Sequence, residues 1–167
     1  MLRPDIPEDG MPKGGTPASR VGSRLKSAGE AAGIDFTGRT DRTPRTELFH
    51  ATMKVILDEQ GSKKQTRFQE VVFDQYFTKG IFPNQQALLA AAERIHLKDT
   101  VETFFADTAK VKKIRHDVSR QATEASQRGI DGVPYFEFNN HPAFSGAQDV
   151  TTLAAYLNKH AKQSTEN

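Results

Sequence analysis

The chain has 167 residues, 36% hydrophobic and 26% charged, enough for one compact domain; 23 Lys plus Arg against 21 Asp plus Glu leave +2, and the interspersed charges exclude a basic footprint for nucleic acid or anionic lipid. No apolar run approaches the roughly 18 to 20 residues of a membrane helix, and the opening stretch is too polar for a secretory signal, so a cytoplasmic protein is expected. The absence of any cysteine excludes a disulfide framework, a thiolate metal site and cysteine-based catalysis by these residues alone.

Seven of the 12 Gly and five of the eight Pro fall in the first 45 positions. Residues 1–18 therefore read as an irregular segment and the stretch up to 45 as loosely held. Inside it, the stripe Val21, Leu25, Ala28, Ala32 predicts one short helix over 19–32, stopped by Gly33. Thr43 as a cap and Pro44 at the first helical position open the next helix, whose stripe Leu48, Ala51, Thr52, Val55, Ile56 stops at Gly61. A second helix over 63–79 repeats Phe68, Val71, Val72, Tyr76 and ends at Gly80, so the two form a helical hairpin. Asn84 opens a third through Leu88, Leu89, Ala92 and Ile95, and a short fourth covers 98–105. A fifth, over 108–128, carries Val111, Ile114, Val118, Ala122, Ala125 and ends at Gly129. The helical region thus spans 19–128.

Residues 129–162 change period. Tyr135-Phe136-Glu137-Phe138 favours a strand, Asn139-Asn140 a tight turn, and Pro142, Ala143, Phe144 a returning strand. Pro142 cannot donate to a ladder, which makes that strand a sheet edge. Ser145 and Gln148 have the spacing of a capping box ahead of a last amphipathic helix with Val150, Leu153, Ala154, Leu157 and Ala161 inward. Residues 163–167 read as a disordered tail.

Few residues suggest chemistry. The five histidines, at 50, 96, 116, 141 and 160, form no metal-ligand spacing, and the basic group Lys110, Lys112, Lys113, Arg115, His116 reads as the wet face of an amphipathic helix. Phosphate-loop, dinucleotide, nucleophile-elbow and zinc-protease motifs are absent. One segment differs: Gly129-Ile130-Asp131-Gly132-Val133-Pro134 runs from a helix end into a strand. Alone, Pro134 reads either as a strand starter or as a cis-proline corner that turns the Val133 backbone outward.

The order helices, Gly-Val-Pro, strand, turn, strand, Ser-Gly-Ala-Gln, helix resembles the C-terminal part of the DsbA-like thioredoxin-fold family. The likeness is strongest to its FrnE-like branch, related to hydroxychromene carboxylate isomerases and kappa-class glutathione transferases. Leu2-Arg3-Pro4-Asp5-Ile6-Pro7-Glu8-Asp9-Gly10 resembles the segment after that branch's second strand. Thr43-Pro44-Arg45-Thr46, followed by His50, resembles the start of its first inserted helix, with Arg45 where the family has Asn. Asp74-Gln75-Tyr76-Phe77-Thr78-Lys79-Gly80 resembles a later helix end. The likeness covers about residues 2–158.

The resemblance implies a mostly helical α/β protein: a thioredoxin-like fold with an inserted helical domain, the N-terminal βαβ unit missing and the C-terminal ββα retained over 129–162. It implies a thiol-disulfide oxidoreductase domain, redox-inactive as written because the Cys-x-x-Cys is absent, and so no catalytic residue. A glutathione-dependent isomerase or transferase relative, or a noncatalytic peptide- or glutathione-binding module, are the alternatives. The substrate-binding residues it implies are Gly132, Val133, Pro134, Ser145, Gly146 and Gln148. The first three would present backbone to an extended peptide or glutathione, and the last three would lie at a helix start whose amides receive a carboxylate. No metal, nucleic acid or membrane partner is expected. A two-stranded sheet with an open edge predicts self-association.

Overall fold

The computed structural model describes residues 5–130, 132–139 and 141–163. Leu2, Arg3 and Pro4 of the first family-like segment, Asn140 of the turn and residues 164–167 of the tail lie outside them. The chain divides into two compact units, residues 2–121 and 122–167.

The first unit is built on helices. α3 (Glu47–Gln60) and α4 (Ser62–Phe73) are joined by Gly61 alone, at φ 84°, and form the expected hairpin. Their stripes turn inward: Ala51, Val55, Ile56, Phe68, Val71 and Val72 are all buried. α5 (Gln85–Glu93) starts where Asn84 Oδ1 accepts the Ala87 amide at 2.9 Å. It adds Leu88, Ala91 and Ala92 to the same core, and α6 (Lys98–Ala106) adds Val101 and Phe104. α7 (Thr108–Gln127) begins with Asp107 Oδ1 accepting the Lys110 amide at 2.9 Å, and it buries Val118. α4 does not stop where the hairpin ends. A π-helical turn over Asp74–Thr78 extends it to Gly80, where a Cβ would stand 2.5 Å from Arg39 Cβ and φ is 74°.

The Gly- and Pro-rich stretch is held more firmly than its composition suggests. Ile6 is 1% exposed, and β1 (Met11–Pro12) pairs antiparallel with β2 (Arg42–Thr43). Tyr76 fastens it from the other side: its hydroxyl donates to Arg42 O at 3.2 Å and accepts from Lys13 Nζ at 2.9 Å, while Thr40 Oγ1 donates to Tyr76 O at 2.8 Å. Two expectations change here. Thr43 lies in β2 opposite Met11 and does not cap α3, which starts after Thr46. The single helix expected over 19–32 is two, α1 (Pro17–Arg20) and α2 (Ser23–Ala31), because Val21 is extended at φ −109°, ψ 112° and Gly22 follows it.

The second unit contains a hairpin and a helix. β3 (Tyr135–Phe138) and β4 (His141–Ser145) pair antiparallel, with Phe136 opposite Phe144 and Glu137 opposite Pro142, so Ala143 is the extra residue of an irregular step. α8 (Val150–Gln163) follows and takes in Gln163, which the sequence assigns to the tail. Phe138 and Phe144 meet Tyr156 of α8 at ring-centroid distances of 4.9 and 5.3 Å. Tyr156, not the expected aliphatic stripe, carries this packing: Val150 is 82% and Leu157 50% exposed. Both sheets are antiparallel pairs, so the described residues hold no βαβ unit. Among them, no helix is long and apolar enough to cross a membrane.

Candidate functional site

The six residues singled out in the sequence lie together in the second unit. Gly132 faces Ser145: a Cβ on Gly132 would stand 3.4 Å from Ser145 Oγ. The Val133–Pro134 peptide is cis, and Pro134 O accepts the Gly146 amide at 2.8 Å, which fastens the entry of β3 to the exit of β4. Gln148 Nε2 reaches the carbonyls of Ser145 and Gly146, each at a long 3.4 Å. Val133 itself is 76% exposed, and its backbone makes no hydrogen bond among the described residues. β3 has β4 on one side and no other strand beside it among the described residues.

The helix start is different from the sequence expectation. Ser145 ends β4, and the cap of α8 is Asp149, whose carboxylate accepts the Thr152 amide at 2.8 Å and the Thr152 hydroxyl at 3.0 Å. Hydrogen bonds from the Thr152 amide and hydroxyl hold the Asp149 carboxyl below the usual range. The Asp149 carboxylate thus takes the first-turn amide of Thr152, and Ser145, Gly146 and Gln148 precede the helix start.

A second concentration of charge lies in the first unit. Glu47, in the first turn of α3, is 7% exposed and takes hydrogen bonds from Ser119 Oγ, Arg115 Nη2 at 2.9 Å and Arg45 Nη2 at 2.9 Å. Arg115 also pairs with Glu8, which stands 3.8 Å from Arg45 Nη1. Burial raises the Glu47 carboxyl, yet the hydrogen bonds from Ser119, Arg115 and Arg45 together outweigh it and bring the group to about 2. The start of α3 and the middle of α7 are thereby tied at one carboxylate, and the segment around Glu8 joins them through Arg115. These residues border a cavity of about 690 Å³ that opens beside α3 and α7.

The family described as a DSBA-like thioredoxin domain matches residues 4–158. The chain belongs to this family. No curated protein and no solved structure matches it. The mostly helical α/β architecture is that of the DsbA-like thioredoxin fold, with the β3–β4–α8 segment at its C-terminal end. In this DsbA-like chain the Arg45 guanidinium pairs with Glu47 at 2.9 Å. The Glu47 cluster escaped the sequence reading because its partners on α7, Arg115 and Ser119, are 68 and 72 residues away. The sequence signal available was an acidic residue in a helix's first turn, which by itself marks only a favourable helix dipole contact. Among the described residues there is no group of three or more His, Cys, Asp or Glu able to hold a metal ion.

Proposed function

We propose that the chain is of the FrnE-like branch and that it receives an extended peptide or glutathione at the Val133–Pro134 corner, without redox turnover of its own. The observation that carries this reading is the corner itself: Val133 is 76% exposed and leads into a strand whose outer edge has no strand beside it among the described residues. An extended ligand that adds there gains main-chain hydrogen bonds and completes a sheet that is otherwise a two-stranded pair. Gly132 leaves room for close approach, and Ser145 Oγ and the Gln148 carboxamide flank the corner as polar side chains. Disulfide exchange requires a thiolate to attack and a second thiol to resolve, and these 167 residues have no cysteine. Any thiol chemistry at the corner uses a thiol carried by the ligand or by other polypeptide.

Titration of the ¹⁵N-labelled chain with reduced glutathione and with a short extended peptide tests the reading. Saturable shifts centred on Val133 and Tyr135 are expected, with no dithiol-driven insulin reduction above the protein-free rate. Absence of shifts across residues 132–146 at several millimolar of either ligand would overturn the binding, and insulin turnover would overturn the redox part.

A further inference from the structure

We propose that the cavity of the first unit is a binding site for a small monocarboxylate with an apolar, preferably aromatic, body. The cavity, about 690 Å³, lies within the range of roughly 300–1,000 Å³ that small-molecule sites occupy. One part of its lining is apolar: Leu48, Phe82, Pro83, Phe105 and Val111. Another is cationic, with Arg45, Lys112 and Arg115, and His116 stands one helical turn from Lys112 on α7.

The charge balance selects the ligand. Three cations, Arg45, Lys112 and Arg115, face two carboxylates, Glu8 and Glu47, which leaves one positive charge. Glu47 pairs with Nη2 of both arginines, and Glu8 pairs with Arg115 Nη2 and lies 3.8 Å from Arg45 Nη1. One cation of the lining is left over: Lys112 is exposed and makes no ion pair or hydrogen bond among the described residues. A monoanion neutralises the excess charge and gives the Lys112 ammonium a partner. A dianion such as a phosphate monoester would add a net negative charge beside two carboxylates. A neutral ligand would leave the excess positive charge uncompensated. The ring and aliphatic wall gives the remainder of such a ligand an apolar surface to cover, with Phe82 and Phe105 available to an aromatic body. The basic face of α7 that reads as solvated in the sequence is, at Lys112, Arg115 and His116, the polar side of this cavity.

The test uses the full chain with three probes of one shape: 2-naphthoate, 2-naphthalenemethanol and 2-naphthyl phosphate, measured by calorimetry and by methyl NMR. Naphthoate is expected to bind about tenfold or more tightly than the alcohol or the phosphate ester, with shifts at Leu48 and Val111. Lys112→Glu, at an exposed side chain, is expected to weaken naphthoate about tenfold or more while the melting temperature and the alcohol's affinity stay unchanged. Equal binding of the alcohol, tighter binding of the phosphate ester, full naphthoate affinity in Lys112→Glu, or no binding at several millimolar would each overturn the proposal.

Discussion

The two units use aromatic residues in opposite ways. In the first, Phe68 and Phe104 are 0% and 1% exposed and are surrounded by helices on a shared core. In the second, Phe136, Phe138, Phe144 and Tyr156 form a ring cluster, yet none of residues 122–130, 132–139 and 141–160 is buried. Helices that close on one another remove whole side chains from water, whereas a hairpin with one helix covers a single face and leaves edges and flanks wet. The proposed peptide-binding corner lies on the second kind of structure. Local stability that is low where a ligand adds and high where the scaffold is built is a common division of labour.

Four changes break or sharpen this contrast. Phe68→Ala empties a fully buried site and is expected to cost about 3–5 kcal/mol, read as a large drop in the main unfolding midpoint in urea. Acid acts next, through Glu47. Its carboxyl is lowered from 4.5 to about 2 on folding, so the stabilisation is complete above pH 4.5 and is lost as pH falls towards 2. The full span is about 3 kcal/mol, and urea midpoints between pH 6 and pH 2 should trace it in the native chain and lose most of it in Glu47→Gln. Tyr156→Ala removes the contacts to Phe138 and Phe144 and should destabilise the second unit by about 1–2 kcal/mol, visible as broadened amide resonances of β3, β4 and α8 with α3 and α4 unchanged. Val150→Thr, at a side chain 82% exposed, should move either transition by less than about 0.5 kcal/mol in chemical denaturation.

What was legible in the sequence follows the same division. α3 to α7 announce themselves because their stripes face one core, so a 3.6-residue period and the stops at Gly61 and Gly80 suffice to place them. The hairpin was legible from its Phe-rich run and from Pro142. The face of α8 was not: Val150 and Leu157 satisfy the period, but the rings of β3 and β4 select Tyr156. Thr43 looks like a cap until β1 claims it, and Ser145 looks like one until Asp149 is seen nearer the helix. At the site, the proximity of Gly132, Pro134, Ser145 and Gly146 was readable because a short hairpin joins them. The Glu47 cluster and the cavity beside it depend on contacts between α3, α7 and the segment around Glu8, which no local pattern records.

Amide hydrogen exchange on the full chain tests the contrast most directly. The account predicts that amides of α3 and α4 exchange only through global unfolding, while those of β3, β4 and α8 exchange orders of magnitude faster through local opening and slow when a peptide or glutathione occupies the Val133 corner. Equal protection of the two units in the free chain would contradict it.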